Sequence, residues 1–192
     1  MFTTNAKNTM LDALTFGQCS LHTAFPGQTG ASEVSGGAPA YARRAITVGA
    51  ASGEVRTLTA AVNFDVPATT VRWFGFWNGA TFLGCTPNDG NPKEFVAVVS
   101  TDRIQCPAHG WANGQKVVFY NGGLPAPLVE GTVYFVINAN TDDFQVSATS
   151  GGAAIDLTSA GTSTCLVSSI TEQVYAAQGT HTLTAATFEL RL

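Results

Sequence analysis

Two cysteine and histidine pairs with the same spacing raise the first chemical question of this chain. Cys19 and His22 lie in CSLH, and Cys106 and His109 lie in CPAHGWANGQKVVFY. Thiolate and imidazole are both zinc ligands, and two such pairs would complete one Cys2His2 tetrahedron. A thiol beside a histidine can also act as a nucleophile, provided a third group orients the base. The two pairs fall in segments of different character, however, and an Ala-His-Gly turn more simply uses its ring to hydrogen-bond backbone. Structural histidines are therefore the expectation: His109 and Gly110 shape a tight turn, Asn113-Gly114 completes it, and a strand begins at Gln115. Carboxylates fare no better. Asp142 and Asp143 are adjacent, so on a strand they point to opposite faces and cannot flank one glycosidic bond. Asp89 and Glu94, in TPNDGNPKEF, lack the Asp-x-Asp-x-Asp-Gly run of a calcium loop, and Asp89 reads as a turn former. No catalytic residue, cofactor or metal site is predicted.

Composition narrows the partners. The chain has 192 residues, enough to bury a sizeable core as one medium domain or two small ones. Only 11% of them are charged, against roughly 25% in average soluble proteins, so the surface is built from Thr, Ser, Asn, Gln and Gly. With a net charge of −4 and no basic cluster beyond Arg43-Arg44, a surface that neutralises phosphates is excluded, and nucleic acid with it. No apolar run is long enough for a membrane helix, and MFTTNAKNTMLDALTF lacks both the basic start and the apolar stretch of a secretion signal. The expectation is a chain made in the cytosol, with no membrane association and with Cys19, Cys85, Cys106 and Cys165 as free thiols. Cys106 and Cys165 are the one pair that could face each other across a small barrel.

The elements that must position these residues are mostly strands. NAKNTMLDALTF, residues 5–16, places Met10, Leu11 and Leu14 at helical spacing behind polar capping residues. FPGQTGASEVSGGAP, residues 25–39, reads as an extended Gly-rich arm lying against another surface. In RTLTAAVNFDV, residues 56–66, Leu58, Ala60, Val62, Phe64 and Val66 alternate with polar neighbours, the pattern of a half-buried strand. YARRAITVG before it and TVRWFGFWNG after it continue as strands, with a hairpin turn at Asn78-Gly79. On the aromatic strand Val71, Trp73, Gly75 and Trp77 share one face while Arg72, Phe74 and Phe76 share the other. Such a strand is either central in a sandwich or covered on its outer face by a partner. Beyond the break at residues 86–95, short β-rich runs from VAVVS to CLVS suggest a compact module, and the closing alternation of Phe188, Leu190 and Leu192 needs a partner in the first domain.

The fold class expected is all-β: a discontinuous β-sandwich or jelly-roll-like domain, residues 1–94 plus 169–192, with a short N-terminal helix and an inserted small β-barrel module, residues 95–168. A hairpin is a site that tolerates such an insertion.

Residues 21–30 (LHTAFPGQTG), 33–37 (EVSGG), 41–43 (YAR) and 74–77 (FGFW) together resemble a bacteriophage virion module known as phage tail fibre protein or head decoration protein, over residues 11–85. The insert resembles a second phage module through residues 107–119, 124–125, 131–136, 144–147 and 151–158. In both modules the histidines belong to the pattern and the cysteines do not. The resemblance implies a non-enzymatic structural protein localised to the virion, after synthesis in the host cytoplasm. Its partners would be the major capsid protein or a tail protein. A capsid decoration (cement or head fibre) protein is favoured over a tail fibre or tail-tip component, because the chain is short and lacks a repeated shaft. A homo-oligomer, a trimer in preference, would hide apolar faces that so few charges leave exposed. The candidate interface residues are Met10, Leu11, Leu14, Phe25, Tyr41, Arg43, Arg44, Phe74 and Phe76. Trp111 with Asn113 is the candidate for stacking on and hydrogen-bonding a host glycan.

Overall fold

The computed structural model describes residues 2–162 and 165–189. One helix, α1 (Thr4–Ala13), precedes β1 (Gln18–His22), β2 (Arg44–Ala45), β3 (Val55–Thr57), β4 (Val62–Val66), β5 (Thr69–Val71), β6 (Trp73–Asn78) and β7 (Thr81–Pro87). There follow β8 (Lys93–Glu94), β9 (Val96–Val98), β10 (Arg103–Gln105), β11 (Lys116–Tyr120), β12 (Val133–Ile137), β13 (Asp143–Ser147) and β14 (Leu166–Ser169). The chain ends with β15 (Gln173–Tyr175), β16 (Gly179–Leu183) and β17 (Thr187–Glu189). The fold is all-β, and the chain divides into two compact units, Met1–Cys85 with Gln173–Leu192, and Thr86–Glu172. The inserted unit thus begins before residue 95 and ends after residue 168. The reason is long-range pairing that no local pattern announces: β8 is bonded to β14, and Asn88 ties the unit's two ends by donating to the Thr171 carbonyl while its own carbonyl accepts from Thr171.

The first unit is two layers. One is a sheet in the order β2-β1-β6-β7. The other is a ribbon in which the returning chain runs antiparallel to residues 55–71, through β15 on β5, β16 on β4 and β17 on β3. Gln173 faces Val71, Gly179 faces Val66 and Thr187 faces Thr57. The register therefore slips by a single residue after β15 and slips back before β17, as compensating bulges would require. Cys19, Leu21, Phe74 and Phe76 from the sheet and Phe64, Val66, Leu183 and Phe188 from the ribbon form one core. Phe188 is buried, as its alternation predicts, whereas Leu190 and Leu192 lie outside the described residues.

Two expected strands are shorter than their patterns. Leu58 still follows the register of β3 by donating to the Ala186 carbonyl, but Thr59 turns away, donating through both N–H and Oγ1 to the Thr47 carbonyl, and Ala60 is exposed. Of YARRAITVG, only Arg44–Ala45 forms a strand.

The second unit is one antiparallel sheet, β8-β14-β11-β12-β13-β10-β9. Its two edge strands, β8 and β9, are joined by Phe95 alone. One extended residue spans about 3.5 Å, so the edges meet and the sheet rolls into a small barrel. Phe95, Ile104, Val117, Phe119, Val136 and Phe144 fill it. Asp89, with φ 53°, occupies a left-handed turn.

The helix docks on its own unit. Thr3 caps it, accepting from Ala6 N–H, and Leu11 is buried, Met10 half-buried and Leu14 exposed. The hairpin around Glu54 grips one side: Glu54 accepts from Thr4 Oγ1 at 2.8 Å and Lys7 Nζ at 2.7 Å, and its N–H donates to Asn8. Arg56 closes the other end, donating to the Leu11 and Leu14 carbonyls at 2.9 and 2.7 Å and to the Gly49 carbonyl at 2.7 Å. The Leu11 and Leu14 carbonyls lie at the C-terminal end of the helix, where intrahelical donors run out, and that of Leu11 also accepts Leu14 N–H at 3.1 Å. Hydrogen bonds from a charged donor are each worth about 1.5–3 kcal/mol. Arg56→Ala is therefore expected to cost about 2–3 kcal/mol locally, read as lost amide-exchange protection in α1 with protection retained in β4 and β16.

Candidate functional site

The residues with the richest chemistry gather on the outer face of the β1 and β6 pair. These strands face each other with Ser20 opposite Gly75 and His22 opposite Trp73. Strand alternation sends Cys19, Leu21, Phe74 and Phe76 into the core and leaves Ser20, His22, Trp73, Gly75 and Trp77 on the other face. The Gly-rich arm lies over that face through Phe25, Gly30 and Ala31, while Val34 and Tyr41, further along the chain, pack on the core side. Thr23 N–H donates to the Ser32 carbonyl and Val34 N–H to the Leu21 carbonyl, so residues 32–34 extend the sheet beside β1.

A single chain of hydrogen bonds runs through this layer. Trp77 Nε1–H donates to Ser20 Oγ at 2.7 Å, Ser20 Oγ lies 2.7 Å from His22 Nε2, and His22 Nδ1 lies 2.7 Å from the Ala31 carbonyl oxygen. A carbonyl can only accept, so Nδ1 carries the proton and Nε2 accepts from the Ser20 hydroxyl. Burial pushes the His22 pKa down, which favours this neutral form. Two glycines make room. A Cβ at Gly75 would stand 2.4 Å from His22 Nε2 and 2.6 Å from Ser20 Oγ. Gly30 has φ +73°, and a Cβ there would stand 2.4 Å from the Trp77 ring.

A second set of contacts closes over the first. Arg43 grips Glu33 through two nitrogens, Nε to Oε1 at 2.9 Å and Nη2 to Oε2 at 2.7 Å, and lays its guanidinium 3.4 Å above the Trp77 ring. This is the forked, stacked use that lysine cannot reproduce. Tyr41 Oη donates to Glu33 and accepts from Leu21 N–H at 2.8 Å. The Glu33 hydrogen bonds raise the Arg43 pKa, and burial raises that of Tyr41. Phe25 packs edge-on against Trp73 at 5.0 Å.

Chemically, this arrangement is a buried hydrogen-bonded lock. Ser20 and His22 are a hydroxyl and a base within hydrogen-bonding distance, yet both have 0% exposure. The hydroxyl is held by an indole, and the base is oriented by a backbone carbonyl where a nucleophilic triad uses a carboxylate. The Cys19 thiol is on the opposite face of β1 from His22, so this pair cannot share a metal; a three-residue separation on a strand always splits the faces. Burial also pushes the Cys19 thiol up, away from the reactive thiolate. Cys106 and Cys165 are separate free thiols in the barrel core. Among the described residues no group of three or more His, Cys, Asp or Glu is arranged to hold a metal, and no helix is long and apolar enough to cross a membrane.

Of the residues singled out from the sequence, Phe25, Tyr41 and Arg43 meet in this layer. Arg44 instead pairs with Asp65 at 2.5 Å, and Phe74 and Phe76 are interior to their own unit, so neither ring is open to a partner. Trp111 is also placed differently from a glycan platform: it is 7% exposed, packed on Phe144 and His109. Its ring faces are spent on the core because the turn is folded over the barrel contents. Asn113 is exposed, but its Oδ1 accepts from Ala139 N–H at 2.9 Å. Ser20, Glu33 and Trp77 were missed as a cluster. The available signal was the same-face spacing of Ser20 and His22 together with a glycine amid aromatics at position 75.

Gly75→Ala is expected to cost about 1–3 kcal/mol in the first unit, the usual range for overpacking, and to displace the His22 ring in NMR spectra. The pH dependence follows from the depressed pKa of His22. As pH falls below about 6.5 the unfolded chain binds the proton first, so stability present above that value is lost as pH drops towards the folded pKa. Unfolding of the first unit followed against pH is expected to show this slope, and His22→Gln to flatten it. Set against known proteins, the chain matches no family model, no curated protein and no solved structure.

Proposed function

We propose that this protein is a structural component of a tailed-bacteriophage particle, a decoration protein bound to the outside of the assembled head. One observation carries the reading. The stretches with the virion-module resemblance, 21–30, 33–37 and 41–43, follow one another in the chain, and the fourth, 74–77, lies some thirty residues further on yet meets them in the layer built on Ser20, His22, Glu33, Arg43 and Trp77. Their polar groups hold a Gly-rich arm in one shape and leave no open reactive centre among the described residues. A pattern of that kind belongs to a part that must be rigid and present a surface.

The remaining features suit such a part. With 11% charged residues, solubility depends on polar uncharged surface and mutual contact. Val96 and Val174 stand 62% and 66% exposed, apolar points for a neighbouring subunit to cover. A homo-oligomer, with a trimer preferred, and the major capsid protein are the partners of this proposal. Binding only to the assembled shell would stabilise it by mass action.

Antibody against the purified chain, applied to intact particles and imaged by electron microscopy, tests the placement. Label distributed over the head is expected. Label confined to the tail would replace the decoration role with a tail fibre or tail-tip role, and particles without label would remove the virion reading altogether.

A further inference from the structure

The turn between β10 and β11 contains a histidine that the arm layer does not involve. His109 is 3% exposed, and its ring lies 5.0 Å from that of Phe144 and 5.5 Å from that of Trp111. Its Nδ1 accepts the Trp111 backbone N–H at 3.0 Å. That nitrogen therefore presents a lone pair, and the ring proton sits on Nε2. Nε2 is buried and meets no hydrogen-bond partner among the described residues. A buried donor without an acceptor is rare enough to need an account.

We propose that this turn is an acid-operated latch, closed over the barrel core while His109 is neutral and opened when its ring takes a second proton. The only lone pair available is on Nδ1, so the proton must go where Trp111 N–H now donates. Two donors would then face each other, and a cation would be buried with neither N–H accepted. A buried charge in that state is expensive, and the ring relieves it by moving into water. Trp111 is held by that same nitrogen and packs on Phe144 at 5.5 Å, so the indole is released with the ring. Cys106, at the start of the turn and 1% exposed, loses its cover.

Ionisable groups lie at the turn, and those from neighbouring elements bond to its backbone. Lys93, from β8, donates to the Ala108 carbonyl at 3.3 Å. Asp142, just before β13, accepts Ala108 N–H at 2.9 Å through Oδ1, and its carbonyl accepts Cys106 N–H at 2.8 Å. Cys106 is itself the third such group, and burial raises its thiol pKa, which keeps it neutral. The open turn binds one proton more than the closed one. The ratio of open to closed thus rises with acid by up to about tenfold per pH unit. This inference stands apart from the virion reading.

Pulse labelling of the full chain with dithiodipyridine, which reacts with thiols in acid, tests it from about pH 7.5 to about pH 5, the range in which imidazoles charge. Mass spectrometry assigns the sites. Cys106 labelling is expected to accelerate by about tenfold per pH unit below the transition, with Cys165, the other buried thiol of that barrel, unchanged. In His109→Gln the amide oxygen can accept Trp111 N–H without titrating, and the acceleration is expected to vanish. The latch is overturned by Cys165 rising in step, by acceleration that persists in the variant, or by none in the native chain. Should the variant fail to fold, NMR of the native chain decides: Trp111 amide exchange should rise with the titration of the His109 ring nitrogens, and an amide that stays protected throughout sinks the proposal.

Discussion

The first unit depends on burying a serine, a histidine and an indole N–H beneath an arm without leaving any of them unpaired. A hydroxyl or imidazole moved from water into an apolar layer costs several kcal/mol if nothing replaces its hydrogen bonds. Here each donor finds an acceptor in sequence, from Trp77 to Ser20 to His22 to the Ala31 carbonyl. The chain closes only because Gly75 has no side chain to occupy the space between Ser20 and His22. The arm therefore has one seat. Glu33 and Arg43 act later in this hierarchy, fastening from above an arm whose position the buried bonds already define.

The same unit carries a topological constraint. Its ribbon is made of two segments separated by the whole of the second unit, and their registers agree to within one residue. The inserted barrel must therefore return the chain close to where it left. Asn88 and Thr171 accomplish this with paired backbone and side-chain bonds, and an ion pair between Lys116 and Glu172 lies beside them. The strands that flank the insertion, β7 and β15, belong to different layers and form no hairpin, so the expected hairpin site is replaced by a crossing between layers, which leaves the host intact because the guest's ends are adjacent.

How far the chain could be read before folding varied with the range of the forces involved. Alternation placed Phe64 and Val66 inward, and the Gly-rich stretch at 25–39 was legible as an arm, because both are decided by neighbours in sequence. The interruption that begins at Thr59 was not legible, since Thr59 is drawn to the Thr47 carbonyl, and the residues themselves keep the strand pattern. Nor was the start of the inserted unit, which is set by two residues of β8 pairing with β14. The candidate site was half legible: Tyr41, Arg43 and Phe25 were singled out, whereas Glu33, Ser20 and Trp77 gained their roles only through contacts across the sheet.

By itself, the sequence determined an all-β chain in two parts, a short helix with Leu11 on its apolar side, and a surface poor in charge. These follow from composition and from periods of two and near four, which act through adjacent residues. Tertiary structure alone decided which of the aromatic faces is covered and by what. It also decided the fate of both Cys-x-x-His pairs. Cys19 and His22 are divided between the two faces of a strand, while His109 lies inside a turn beside a buried Trp111. The spacing is identical in the two cases. What differs is the backbone that carries it, and that backbone is set by partners distant in sequence.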